Sequence, residues 1–240
     1  MLRLRQIAMV APDLAPVEGE VGQMLAANVC YRDPGVGKYG LHNALWALGG
    51  TFLEALAPVQ ENTTAGRYMA RRGGATGYMV ILDTDDLAPV RGRLAAQGVR
   101  LVEDLSVGDA ALHATALHLH PRDTGGCLLS IDHHGPDSGM MGSYMWAGSA
   151  WHAHANPGLV ISGAVMTCDD PATTASRWSA ILDRLAVPHG AGWRIGLDNA
   201  TLDFMPNNGP AGEGLAAIRV TGLAAPARSC GLDFLPETNR

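Results

Sequence analysis

The chain has 240 residues, 47% of them hydrophobic, and its 17 lysines and arginines against 23 aspartates and glutamates give a formal charge of −6. That is enough chain and enough apolar content for one large domain or two small ones, while the scattered basic residues form no stripe of the kind that tracks a nucleic acid. No apolar run approaches a membrane span, the opening MLRLRQIAMVAPDL lacks a signal-peptide core and cleavage site, and Cys30, Cys127, Cys168 and Cys230 form no Cys-x-x-Cys pair. The expectation is a reduced, cytoplasmic protein that binds small molecules.

In chain order, RQIAMVA runs into the pentapeptide DLAPV at Asp13–Val17, and GYMVILDT precedes a second DLAPV at Asp86–Val90. Each apolar run reads as a buried strand. Asp13 or Asp86 can accept a backbone N–H at the start of a following helix, with Pro16 or Pro89 in its first turn. Val17, Val21 and Met24, and then Val90 and Leu94, fall at helical spacing, and Gly98 is placed to end the second helix. Between these units, YGLHNALWALGG and TFLEALAPV read as a hairpin turning at Gly49–Gly50, which makes the first unit β-α-β-β with room for one more strand. VRLVEDL, LHATALHLHP and GGCLLSIDHH complete the second unit as β-α-β-β-β.

HHGPDSGMMGSYMWAGSAWHAHANPG has weak periodicity and reads as a connector over 136–157, with Met140, Met141, Tyr144, Met145, Trp146 and Trp151 as a hydrophobic flap or a dimer contact. His133, His134, His152 and His154 at its ends have spacing that a zinc site can use. A third unit begins at LVISGAVMTCDDPATTASRW, with Asp170 and Pro171 at the corner. A fourth begins at GLAAIRVTGLAAPARS and is truncated, because LDFMP and LDFLP read as the same closing strand only 30 residues apart. The expected organisation is 1–135, the connector, and a second paired unit over 158–240.

HPRDTGGCLLSID and the element before it, GYMVILDTDDLAPVRGRLAAQGVRLVED, resemble the closing hairpin and preceding unit of methylmalonyl-CoA epimerases, and HNALWALGGTFLEALAP resembles the central hairpin of glyoxalases. The chain is thereby similar to the vicinal oxygen chelate superfamily, which includes glyoxalases, epimerases, extradiol dioxygenases and bleomycin-resistance proteins. The resemblance covers most of 4–133 and, more loosely, 159–236. It implies an α+β fold in which tandem β-α-β-β-β modules pair into cupped half-barrel sheets. It also implies a divalent metal held by the first and last strands of each module, at positions that fall here on Gln6, Glu54, Met79 and Ser130. In the second half they fall on Gly163, Asp203, Leu215 and Asp233. A thioether and a neutral hydroxyl suit hard divalent cations poorly, so the metal site reads as degenerate and no cofactor is expected.

Glu54 lies in the otherwise apolar TFLEALAP, and a carboxylate in an apolar cup has the raised pKa of a general base; the alternative is a relic hydrogen-bonded to Gln6. By two-residue alternation His42 and Trp46 share one face of their strand and Asn43 takes the other, and either face can line the cup. The first functional reading is an isomerase- or lyase-type proton transfer on a carbonyl, carboxylate or thioester compound, with Glu54 as base and His42 as its partner. Gln6, Trp46, Met79 and Ser130 would contact the substrate. A sequestering protein of the bleomycin-resistance type is the second reading, and a metal-dependent lyase or dioxygenase with unconventional ligands the third. An open sheet edge leaves room for a homodimer.

Overall fold

The repeated corner does what its side chains allow. In the computed structural model, which describes residues 1–209 and 212–237, Asp13 Oδ1 accepts the N–H of Ala15 at 3.1 Å and Asp86 Oδ1 that of Ala88 at 2.8 Å. Strand β1 (Leu2–Val10) thereby passes into helix α1 (Leu14–Leu25), which buries Leu14, Val17, Val21 and Leu25 at helical spacing. The hairpin β2 (Leu41–Leu48) and β3 (Thr51–Pro58) follows. A short helix α2 (Thr64–Arg71), capped by the Thr63 hydroxyl and not anticipated from the sequence, leads to β4 (Thr76–Thr84) and α3 (Ala88–Ala96). Gly98, at φ +65°, ends α3 as expected. Then come β5 (Leu101–Gly108), β6 (His113–Leu119), one helical turn α4 (Pro121–Thr124) and β7 (Leu128–Gly135).

The second half repeats the plan with β8 (Val160–Cys168), α5 (Pro171–Leu182), β9 (Ala186–His189), β10 (Gly192–Gly196), β11 (Thr201–Pro206), β12 (Gly214–Thr221), β13 (Ala227–Ser229) and β14 (Leu232–Glu237). Asp170 caps α5 by accepting from Thr173 N at 3.0 Å. The fourth module has no helix between β12 and β13 among the described residues, which is the expected truncation.

The strands form two seven-stranded sheets, β2-β3-β1-β4-β7-β6-β5 and β13-β14-β12-β8-β11-β10-β9. In each, two central opening strands run antiparallel (β1 with β4, β8 with β12) and each pairs in parallel with its own module's closing strand. The first module stops at two return strands. The sequence left room for a third; between α1 and β2, RDPGVGKYG instead makes a 3-10 turn over Pro34–Tyr39, and Tyr31 keeps a single bridge to Leu45. Pro34, Gly35 and Gly37 are poor ladder residues, which accounts for the difference.

One face of each sheet, with the buried sides of α1, α3 and α5, closes a single hydrophobic core that includes Ile7, Trp46, Leu82, Ile131, Trp178, Phe204 and Phe234. The two halves touch backbone to side chain where β4 meets β12: a Cβ added at Gly77 would lie 2.5 Å from the carbonyl oxygen of Leu215. Polar contacts reinforce this seam. The N–H of Leu4 donates to Asn199 Oδ1 at 2.9 Å, and Arg93 Nε and Gln97 Nε2 of α3 donate to the carbonyls of Ile181 and Ala180 in α5.

The seam makes an opposed pair of glycine substitutions informative. Gly77→Ala overpacks it and is expected to lower stability by about 1–3 kcal/mol. Gly92→Ala, on the exposed side of α3 with nothing within 4 Å, is expected to raise it by about 0.5–1 kcal/mol. Urea unfolding of both variants measures the two signs.

Candidate active site

The opposite face of the first sheet is the cup, and two bulges decide what lines it. Leu4 pairs with Leu82 but Gln6 with Ile81, and Ala8 pairs with Met79 but Met9 with Gly77. Arg5 and Tyr78 are therefore extra residues in the ladder, and each bulge turns two neighbouring side chains to one side. Arg5 and Gln6 both face the cup. So do Ala8, Val10, Met79 and Ile81, which make an apolar cluster with Leu41, Leu56 and Ala65, flanked by Tyr68, Tyr78 and Leu128.

Glu54 sits on β3 beside this cluster. Its Oε2 accepts from Gln6 Nε2 at 2.8 Å and its Oε1 from Asn43 Nδ2 at 2.6 Å. Both amides are oriented by donors at their oxygens: Tyr144 Oη donates to Gln6 Oε1 at 2.7 Å, and the N–H of Asp33 donates to Asn43 Oδ1 at 2.8 Å. Each amide thus has its NH2 end turned to the carboxylate. Burial raises the Glu54 pKa to about 7; the Asn43 and Gln6 donors pull it down, and the charge of Asp33 adds to the rise. A carboxylate poised near neutrality is partly ionised and partly a proton carrier, which suits a general base.

The connector closes the other end of the cup. Tyr144 is fully buried and stacks on Phe52 with ring centres 4.2 Å apart, while Trp151 meets the same ring edge-on at 5.0 Å. Arg5, also fully buried, holds the segment by donating to the carbonyl of Met140 at 2.6 Å and lies 5.0 Å from the Tyr144 ring centre. Trp146 Nε1 donates to Asp132 Oδ2 at 2.8 Å, and the N–H of Met145 donates to His134 Nδ1 at 3.1 Å. The segment is the flap that its aromatic content suggested.

Of the residues singled out in the sequence, the structure brings Gln6, Glu54, Met79 and Ser130 to one face of one sheet. Two it does not bring there. Trp46 lies on the opposite face in the common core. His42 shares that face by alternation and is exposed, so neither stands beside Glu54. The residue that does is Asn43, because β2 pairs Asn43 with Leu56 and Leu45 with Glu54. Alternation alone left the two faces equivalent. Tyr144 and Arg5 were also missed as site residues, one because the connector has no period and the other because the bulge is invisible in the sequence. Two surface hollows, one lined by Leu2, Val90, Arg93 and Leu182 and one by Pro58, Thr63, Gly66 and Arg67, lie away from Glu54.

The residues present do not fit a metal of the superfamily's kind. Glu54 is the one anionic donor among the four positions, and both its oxygens receive N–H bonds. The Gln6 carbonyl accepts the Tyr144 O–H, and Ser130 Oγ is bonded to Asp132 Oδ1. Met79 brings a soft thioether. Among the described residues no group of three or more His, Cys, Asp and Glu is placed to hold a metal, the histidines around the connector included. His152 Nε2 lies 2.8 Å from the Met141 carbonyl and His133 Nδ1 3.0 Å from that of Thr84. In the second half, Asp203 is bonded by Arg194 at 2.6 and 2.8 Å and by Arg219, which hold its carboxyl below its ordinary value.

Paired modules curled around a cup with a carboxylate on a closing strand define a vicinal oxygen chelate fold. A family model described as a glyoxalase-like domain matches residues 10–182, and the chain belongs to that family. The ethylmalonyl-CoA/methylmalonyl-CoA epimerase of Cereibacter sphaeroides is 24% identical over 132 residues, 54% of this chain and 96% of the epimerase. The crystal structure of a hypothetical protein from Staphylococcus aureus is similar over 99% of this chain and 100% of that one, with a TM-score of 0.73 and 12% identity, which shows a common fold. A methylmalonyl-CoA epimerase structure from Mycobacterium tuberculosis shares 24% identity over 56% of this chain and 89% of its own, with a TM-score of 0.48.

The Glu54 site has a consequence for stability. Its pKa of about 7 in the fold lies above the ordinary 4.5, so between these values the folded chain holds more protons than the unfolded chain. Stability contributed by protonated Glu54 is present below pH 4.5 and lost as pH rises through 7, a loss on the order of 3 kcal/mol. Denaturant unfolding from pH 4 to 8 is expected to show wild type losing stability relative to Glu54→Gln across that window. A constant difference would mean that Glu54 ionises normally.

Proposed function

We propose that this chain catalyses an isomerase-type proton transfer at a carbon next to a carbonyl, with Glu54 as the base and a small acyl thioester as the first substrate class to test. The observation that carries the proposal is a buried carboxylate held by two oriented amides beside an apolar cup, where burial raises its pKa to about 7. The relative from Cereibacter sphaeroides, named as an epimerase of ethylmalonyl-CoA and methylmalonyl-CoA, supports both the reaction type and the thioester class.

Ionised Glu54 would take the proton from the acidic carbon. The C–H electron pair then moves toward the carbonyl oxygen, giving an enolate; protonated Glu54 exchanges with solvent and then returns a proton to carbon, which re-forms the C–H bond and leaves the carboxylate as it began. Gln6 and Asn43 stabilise the ionised form before reaction and hold the carboxylate in one orientation, so it is aligned before the substrate arrives. Ala8, Val10, Met79 and Ile81 give the reacting carbon apolar walls, which keep water from competing for the base. The Met79 thioether takes a packing role and Ser130 a structural one, through its bond to Asp132.

The test is hydrogen exchange in deuterated water with methylmalonyl-CoA, followed by loss of the acidic carbon's proton signal. Wild type is expected to exceed the uncatalysed exchange, increasingly so as pH rises through 7, and Glu54→Gln to lose at least about 100-fold while keeping ligand affinity. Exchange that survives in Glu54→Gln would remove Glu54 as the base. Calorimetric binding without exchange in wild type would instead favour a sequestering protein.

A further inference from the structure

We infer that Tyr144, from the segment between the two sheets, is a positioning residue that sets how Glu54 holds its proton, acting through the side-chain amide of Gln6. The geometry carries this. An amide side chain offers a carbonyl at one end and an NH2 at the other, and which end meets a carboxyl group depends on what the opposite end binds. Tyr144 Oη lies 2.7 Å from Gln6 Oε1, and Gln6 Nε2 lies 2.8 Å from Glu54 Oε2. Burial pushes the Tyr144 phenol well above its ordinary pKa, so at neutral pH it stays an O–H donor. A donor at the Gln6 carbonyl fixes the NH2 end on Glu54, where it stabilises the charged carboxylate. Without that donor the amide can turn and present its carbonyl, which accepts a hydrogen bond from protonated Glu54 and favours the neutral form.

Tyr144 is held for this role. Its ring is stacked on Phe52 at an interplanar angle of 10° and lies 4.5 Å from the His134 ring, with Arg5 on the segment's Met140 carbonyl. The charged and titratable groups that act on Tyr144 come from three strands and the cup: Asp132 of β7, Arg5 of β1, Asp83 of β4 and Glu54 itself. Those that act on Glu54 are Asp33 at the 3-10 turn, and Tyr78 of β4, which is coupled to it. Tyr144→Phe leaves all of these except the phenol in place, so the comparison isolates one hydroxyl. The catalytic consequence rests on Glu54 being the base, but the titration does not.

The experiment is a carboxyl carbon NMR titration of the full chain with labelled glutamate, the Glu54 signal being assigned by its loss in Glu54→Gln. Tyr144→Phe is expected to raise the Glu54 midpoint by about one pH unit, a tenfold change in proton affinity. Trp151→Phe, which disturbs the same packing but keeps the phenol bond, is expected to lower the melting temperature and leave the midpoint unchanged. On a Gln6→Met background, Tyr144→Phe is expected to add nothing. A Tyr144→Phe midpoint equal to wild type, or a Trp151→Phe shift of the same size, overturns the proposal. If Tyr144→Phe does not fold, wild type still decides: the Tyr144 phenol carbon signal must follow the Glu54 titration and cease to follow it in Gln6→Met. A shifted midpoint in a protein that exchanges no substrate hydrogen leaves the positioning role standing and removes the base.

Discussion

A carboxylate removed from water must be stabilised by a cation, by hydrogen bonds or by taking a proton, and how Glu54 meets that requirement organises the cup. Both oxygens are bonded by amides, and both amides are themselves oriented by a donor from outside the strands, Asp33 ahead of the 3-10 turn on one side and Tyr144 of the connector on the other. Burial then holds the group near neutrality rather than in the ordinary carboxylate range.

The second half shows what the same fold does under the other solution. Asp203 occupies on β11 the place that Glu54 occupies on β3, but two arginines bond it and hold its carboxyl low. It stays charged and its oxygens are committed. One sheet thus carries a buried carboxylate held by amides, its pKa raised, and the other a carboxylate fixed in an ion-pair cluster. The shared core and the Gly77–Leu215 contact lock the halves together, so the second sheet backs the first, and the link between them closes one end of the first cup with Tyr144, Trp146 and Trp151.

Much of this was legible in the residues. The DLAPV corners located the strand-to-helix junctions because an aspartate cap and a first-turn proline have local causes, and LDFMP and LDFLP marked the truncated fourth module. Gln6 and Glu54 could be paired on paper because the closing strand of a module lies beside its opening strand. The rest depended on interactions without a sequence period. The bulge at Arg5, which sends Arg5 and Gln6 to the same side, breaks the alternation on which face assignments rest. For β2 the alternation held but carried no sign, and the face turned out to be that of Asn43 rather than of Trp46. The link contributes Tyr144 by stacking on Phe52 and by its clasp with Arg5, neither of which has a local signature.

The central claim is that amide donors, and not a metal, hold the Glu54 carboxylate. Calorimetric titration of metal-free protein with manganese, cobalt, nickel, zinc and magnesium tests it most directly, run side by side on wild type and Glu54→Gln. The account predicts no binding that depends on Glu54. One ion bound per chain in wild type and lost in Glu54→Gln would contradict it, since the Gln6 and Asn43 amides would then have to turn their oxygens toward the ion.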